Sequence, residues 1–129
     1  MKYMLMMHAP VNVAESLSKW SPDDFKAHIE FMGALNAELE KSGEFVLAEG
    51  LEMPHTAKTV TAKSPGKPLI TDGPFPESKE FLAGFWIVKV KSEQRACEIA
   101  ARASTAPGPG GAPMGIPIEV RKVGEMPEV

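Results

Sequence analysis

The segment from Gly84 to Lys91 constrains the fold more than any other, because it contains the consecutive apolar residues Phe85-Trp86-Ile87-Val88. Flanking turn residues and the short length predict a strand that is covered on both faces. Residues 2–8 predict a second strand of this kind. Its two faces carry Tyr3, Leu5 and Met7 on one side and Met4, Met6 and His8 on the other. A sheet built around these two strands therefore needs cover on both sides.

Two helices are predicted to cover one side. The first begins at Ser21-Pro22-Asp23-Asp24, with Ser as the N-cap, Pro at the first helical position and acids in the first turn. It extends to Lys41 and stops at Ser42-Gly43. Its apolar positions recur at helical spacing, with His28 on or beside them: Phe25, Ile29, Met32, Leu35 and Leu39. Ser92 caps the second helix, whose predicted buried side consists of Ala96, Ile99, Ala100 and Ala103.

The order of elements predicts the fold class. Further strands are expected at residues 44–51, 57–63 and 116–123, with a short extension at 68–71 and loops at 9–21 and 72–83. This order is that of an α+β fold of the ferredoxin-like, split βαβ kind, with an antiparallel sheet. Helices on one face leave the other face open, and a second copy of the chain would cover it. We therefore expect a homodimer with its sheets packed face to face.

Composition narrows the function classes. The 129 residues suit one domain spanning 1–129, and the net charge of −3 without a basic run argues against nucleic-acid binding. One cysteine excludes an internal disulfide and suits a reducing cytoplasm. No stretch is long and apolar enough to span a membrane. The three histidines fit no local metal motif, so we predict neither a metal nor a cofactor.

One stretch carries a family resemblance. Asp72-Gly73-Pro74-Phe75 and the following Glu77 to Phe85 resemble the signature of the DGPF proteins within the YCII-related group. Met1-Lys2-Tyr3-Met4, Ala48-Glu49-Gly50-Leu51 and Ile118-Glu119-Val120-Arg121 also match. The resemblance implies a ferredoxin-like subunit in a dimeric α+β barrel. It also implies a buried dyad between a helix His, matched by His28, and an Asp at the end of the first strand, where this chain has His8.

His28 and Asp72 are the candidate catalytic residues. A carboxylate that accepts the proton of one imidazole nitrogen leaves the other nitrogen free to act as a base. The alternative for His28 is a hydrogen-bonded, inert residue on the helix. For Asp72 the alternative is a turn role, in which Gly73 permits positive φ and Pro74 fixes the exit from the turn.

Three further residues are candidate ligand contacts: His8, Phe75 and Trp86. His8 would face the interior of the dimer barrel if the helices cover the Tyr3 face of its strand, and a surface position is the alternative. Three functions remain open. They are a small-molecule enzyme that uses an acid–base pair, a ligand-binding module tied to extracytoplasmic-function sigma factors, and a dimerisation scaffold without a ligand.

Overall fold

The computed structural model describes residues 1–74 and 78–128, so the predicted ligand contact Phe75 lies outside the described residues. The described elements are β1 (Lys2–Pro10), α1 (Val13–Ser16), α2 (Pro22–Ser42), β2 (Phe45–Gly50), β3 (Lys58–Thr61), β4 (Leu69–Asp72), β5 (Glu80–Lys89), α3 (Glu93–Ser104) and β6 (Ile118–Lys122). Short 3-10 turns lie at Leu17–Lys19, Pro54–Thr56 and Pro109–Gly111.

Four strands form an antiparallel sheet in the order β2-β5-β1-β6. The two central strands, β5 and β1, are the two that are apolar on both faces. β3 and β4 form a separate two-stranded hairpin between β2 and β5 in the chain. This arrangement confirms the predicted α+β, ferredoxin-like fold.

The ends of α2 follow local chemistry. Ser21 and Asp24 form a reciprocal capping box, in which each side chain accepts a hydrogen bond from the backbone N–H of the other. At the other end Gly43 adopts a left-handed conformation with φ of 79°, which terminates the helix. The predicted start and stop of this helix are therefore confirmed.

Two predicted loops were wrong in extent. The segment 9–21 contains the end of β1, the short helix α1 and a 3-10 turn. The predicted loop 72–83 also ends early, since β5 begins at Glu80. The additional strand residues in both segments result from pairing between β1 and β5, which continues to the partners Ala9↔Phe81 and Pro10↔Glu80. Such long-range pairing leaves no local signal in either segment.

The core lies between the sheet and the two long helices. Tyr3, Leu5 and Met7 of β1 are buried, and the predicted buried side of α3 is confirmed at Ala96, Ile99, Ala100 and Ala103. Of the predicted apolar positions on α2, Leu35 and Leu39 are buried, whereas Phe25 and Ile29 are exposed. His28 and Met32 continue the row of Leu35 and Leu39 at helical spacing, so the same side of α2 faces the sheet in both halves of the helix.

The opposite face of the sheet carries the alternate residues of the same strands. Met4, Met6, Phe85 and Ile87 lie on this face and are half-buried within one chain. We call these four residues the open face. Among the described residues, no helix is long and apolar enough to span a membrane.

Gly84 marks a close approach between two strands. A Cβ atom at this position would lie 2.9 Å from the backbone oxygen of Glu49 on β2. The register of β1 against β5 shifts beside it, between Met7 and His8. Glycine therefore allows β2 to approach β5 at the place where the register changes.

Candidate functional site

A cleft of about 250 Å³ opens between α2 and the sheet. Helix α2 contributes His28, Met32 and Asn36 to its wall, and the sheet contributes Met7, Ala48 and Trp86 among others. Gly84 and Gly50 also line it, so the close approach of β2 and β5 shapes one side. The wall is mainly apolar with a few polar groups, as is typical of small-molecule sites.

His28 has a defined orientation in this cleft. Its Nδ1 lies 3.1 Å from the carbonyl oxygen of Pro107, in the segment that follows α3. A carbonyl oxygen can only accept, so Nδ1 must carry the proton. The ring of Trp20 packs edge-on against the imidazole with 5.6 Å between ring centres. In the neutral imidazole Nε2 then holds the lone pair, and it has no hydrogen-bond partner in residues 1–74 and 78–128.

The segment that orients His28 is itself attached to α2. The backbone N–H of Gly110 donates to Asp24 Oδ1 at 3.1 Å. Hydrogen bonds from the backbone of Ser21 and then Gly110 hold the pKa of the Asp24 carboxyl below its usual value. The carboxylate of the capping box therefore also fixes the loop that carries the Pro107 carbonyl.

Asn36 is a polar residue of the cleft that the sequence patterns did not predict. Its Oδ1 lies 2.9 Å from Nε1 of Trp86, the residue predicted as a ligand contact, and both side chains line the cleft. Trp86 is buried, and this hydrogen bond satisfies its indole N–H. The available signal was a polar residue one turn after Met32 on the side of α2 that carries His28.

The structure places Asp72 away from His28. Asp72 is the last residue of β4, and its exposed carboxylate accepts a hydrogen bond from Lys58 on β3. Gly73 follows with a positive φ of 81°, as the predicted turn requires. No hydrogen bond joins Asp72 to His28 within the part of the chain that the structure describes. The role of proton acceptor for His28 Nδ1 is taken by the Pro107 carbonyl.

His8 lies on the same side of the sheet as the open face. Its Nε2 donates to Glu119 Oε1 at 2.9 Å, and Arg121 donates to the other oxygen of Glu119. The hydrogen bond from His8, followed by that from Arg121, lowers the pKa of the Glu119 carboxyl. His8 therefore lies in a polar cluster outside the cleft, next to the apolar residues Met4 and Met6.

The described residues contain no group of three or more His, Cys, Asp or Glu side chains placed to hold a metal ion. The polar side chains of α2 in the cleft wall are the imidazole of His28 and the amide of Asn36, while Glu49 lies opposite Phe85 in the strand register and contributes its backbone.

Two comparisons with known proteins indicate the family of the chain. The YCII-related domain matches residues 1–110 of the chain. An uncharacterised protein of Rhizobium meliloti (strain 1021) is 29% identical over 110 residues, which cover 85% of this chain and 88% of that protein. The matched residues make up most of the chain and include α2 and the strands β1, β2 and β5, so the chain belongs to the YCII-related family.

Proposed function

We propose that the protein is an enzyme for a small molecule, which it binds in the cleft between α2 and the sheet, and that His28 is its general base. The observation that carries this proposal is the hydrogen bond of 3.1 Å between His28 Nδ1 and the Pro107 carbonyl oxygen. It directs the proton to Nδ1 and leaves the lone pair of Nε2 for a ligand.

The chemistry is a proton transfer. Nε2 takes a proton from an acidic O–H or C–H of the substrate, and the imidazolium that forms keeps its Nδ1–H bond to the carbonyl oxygen. The Pro107 carbonyl supplies the orienting acceptor that a carboxylate supplies in many His-based sites. This acceptor fixes the tautomer of the ring.

The test compares two histidine variants in a screen of small-molecule substrates. His28→Gln is expected to lose about 10²- to 10⁴-fold in turnover, the usual contribution of a general base. His55→Gln is the matched control, since His55 is exposed in the turn Pro54–Thr56. Equal turnover in wild type and His28→Gln would refute the role of His28. Binding that depends on His28 but gives no turnover would favour the ligand-binding, regulatory alternative.

The proposal treats the predicted roles of Asp72 in catalysis and of His8 in ligand binding separately from the role of His28. Asp72, paired with Lys58 on the β3–β4 hairpin, would act on a ligand only from outside the described cleft. His8 would contact a ligand through the polar cluster with Glu119. Asp72→Asn and His8→Gln in the same screen measure each contribution beside that of His28.

We also propose that the open face packs against a second copy of the chain. Its side chains are apolar, while the helices cover only the other side of the sheet. Ile87→Lys is expected to convert a dimer into a monomer, because it would place a charge between the apolar residues Met4 and Leu47, which lie opposite Ile87 on the neighbouring strands. Ile29→Lys is the control, since Ile29 is a 67% exposed apolar residue on α2. Sedimentation velocity at micromolar concentration distinguishes the dimer from the monomer. A monomeric wild type would contradict the proposal.

A further inference from the structure

The amide of Asn36 is held in one orientation. The indole Nε1 of Trp86 is only a donor, so the atom 2.9 Å away must be the amide oxygen. The NH₂ group of Asn36 is consequently a donor at the cleft, and it has no hydrogen-bond partner within residues 1–74 and 78–128. Trp86 thus determines which half of the amide a ligand meets.

The cleft therefore has opposite hydrogen-bonding character at its two ends. His28 presents an acceptor and Asn36 presents a donor. His28 and Asn36 are eight positions apart on α2, which places their Cα atoms roughly 12 Å apart. Met32 lies between them on α2, and Met7 and Ala48 face them from the sheet. A ligand that reaches both ends must be elongated, with an apolar middle.

The charges of the wall exclude an anionic ligand. In the described parts of the chain, no lysine or arginine lines the cleft. A carboxylate or phosphate would lose its hydration without gaining a cation, which is unfavourable. The volume of about 250 Å³ is below the usual range for drug-sized ligands, so the molecule is small.

Resting on the proposed role of His28, we infer that the ligand class is a small, neutral hydroxy-carbonyl compound with an aromatic or otherwise apolar body. Its hydroxyl donates to His28 Nε2, and its carbonyl oxygen accepts from the NH₂ group of Asn36. Asn36 is then a specificity-determining residue, and Trp86 positions it.

The test uses para-hydroxyacetophenone as a probe, which carries both groups on one ring. Phenol lacks the carbonyl, acetophenone lacks the hydroxyl and para-hydroxybenzoate is anionic. Heteronuclear NMR of the full chain follows the indole N–H signal of Trp86 during titration with each compound at millimolar concentration. We expect the probe to bind about three- to tenfold more tightly than phenol or acetophenone, as one net hydrogen bond predicts. We expect para-hydroxybenzoate to bind more weakly than the probe.

The key variant is Asn36→Asp, because its carboxylate still accepts from Trp86 Nε1 but no longer donates. It should remove the preference for the probe over phenol and keep the preference over acetophenone. His28→Gln should remove the preference for the probe over acetophenone and keep the preference over phenol. A preference over phenol that survives Asn36→Asp overturns the inference about Asn36, while loss of binding in His28→Gln would still support the proposed function. Absence of any shift of the Trp86 signal, or tighter binding of para-hydroxybenzoate, also overturns the inference.

Discussion

The contact between β2 and β5 at Gly84 permits a test in which one chemical change has opposite effects at two sites. In Gly84→Ala the new Cβ would lie 2.9 Å from the backbone oxygen of Glu49. That oxygen belongs to a paired strand, so the strands themselves must separate by a few tenths of an ångström. In Gly33→Ala, in the middle of α2, the added Cβ meets no atom within 4 Å.

The magnitudes follow from these surroundings. Overpacking of this kind costs about 1–3 kcal/mol, and the lower chain entropy of unfolded Ala offsets about 0.4–1 kcal/mol of that cost. We therefore expect Gly84→Ala to reduce the free energy of unfolding by about 1–2 kcal/mol. Gly33→Ala should raise it by about 0.5–1 kcal/mol, because Ala is the better helix former. For a chain of this size each kcal/mol shifts Tm by about 3–5 °C.

Urea unfolding, followed by tryptophan fluorescence at equal protein concentration, measures the free energy of unfolding of both variants. Trp86 lies on β5 two residues after Gly84, so its fluorescence also reports any local rearrangement. Because Gly84 lines the cleft, Gly84→Ala should in addition weaken binding of the hydroxyacetophenone probe. A Gly84→Ala variant as stable as Gly33→Ala would refute the argument that the approach of β2 requires glycine.

Three further predictions concern other parts of the molecule. A side-chain hydrogen bond from Arg95 is the main cause that lowers the pKa of Glu44 from 4.5 to about 2. Because this pKa is lowered in the folded state, the ionised Glu44 stabilises the fold above about pH 4.5, and this stabilisation is lost as the pH falls towards 2. The difference in free energy of unfolding between wild type and Glu44→Gln, measured by urea titration, should therefore shrink over that pH range. Asp72→Asn removes an exposed ion pair with Lys58, and its urea midpoint should correspond to a change of no more than about 1 kcal/mol; a larger change would mean that Asp72 has a further structural partner. Leu5→Ala should cost about 3–5 kcal/mol by calorimetry, because Leu5 is fully buried between the sheet and the helices, and a cost below about 1 kcal/mol would contradict the described core.

Much of the fold could be predicted from the sequence because its signals are local. Ser21, Asp24 and Gly43 define the ends of α2 through contacts within a few residues, and the structure contains all of them. The apolar character of β1 and β5 on both faces likewise predicted two strands that need cover on both sides, and these are the two central strands of the sheet. The extents of loops 9–21 and 72–83 were wrong because pairing between distant strands, which no neighbouring residue signals, extended the sheet into both segments.

The candidate site likewise combines residues that local patterns predict with contacts that depend on long-range packing. The sequence by itself predicted His28 on a helix as a candidate base and Trp86 on an apolar strand as a candidate ligand contact. Only the tertiary structure decided their partners: the Pro107 carbonyl lies 79 residues from His28, and Asn36 lies 50 residues from Trp86. Hydrogen bonds over such distances exist only after the sheet and helices have packed, since packing alone brings these groups within 3.1 Å of each other. Composition and periodicity specify the elements and their buried sides, whereas the orientations of the His28 imidazole and the Asn36 amide result from the partners that the finished fold gives to Nδ1 and Oδ1.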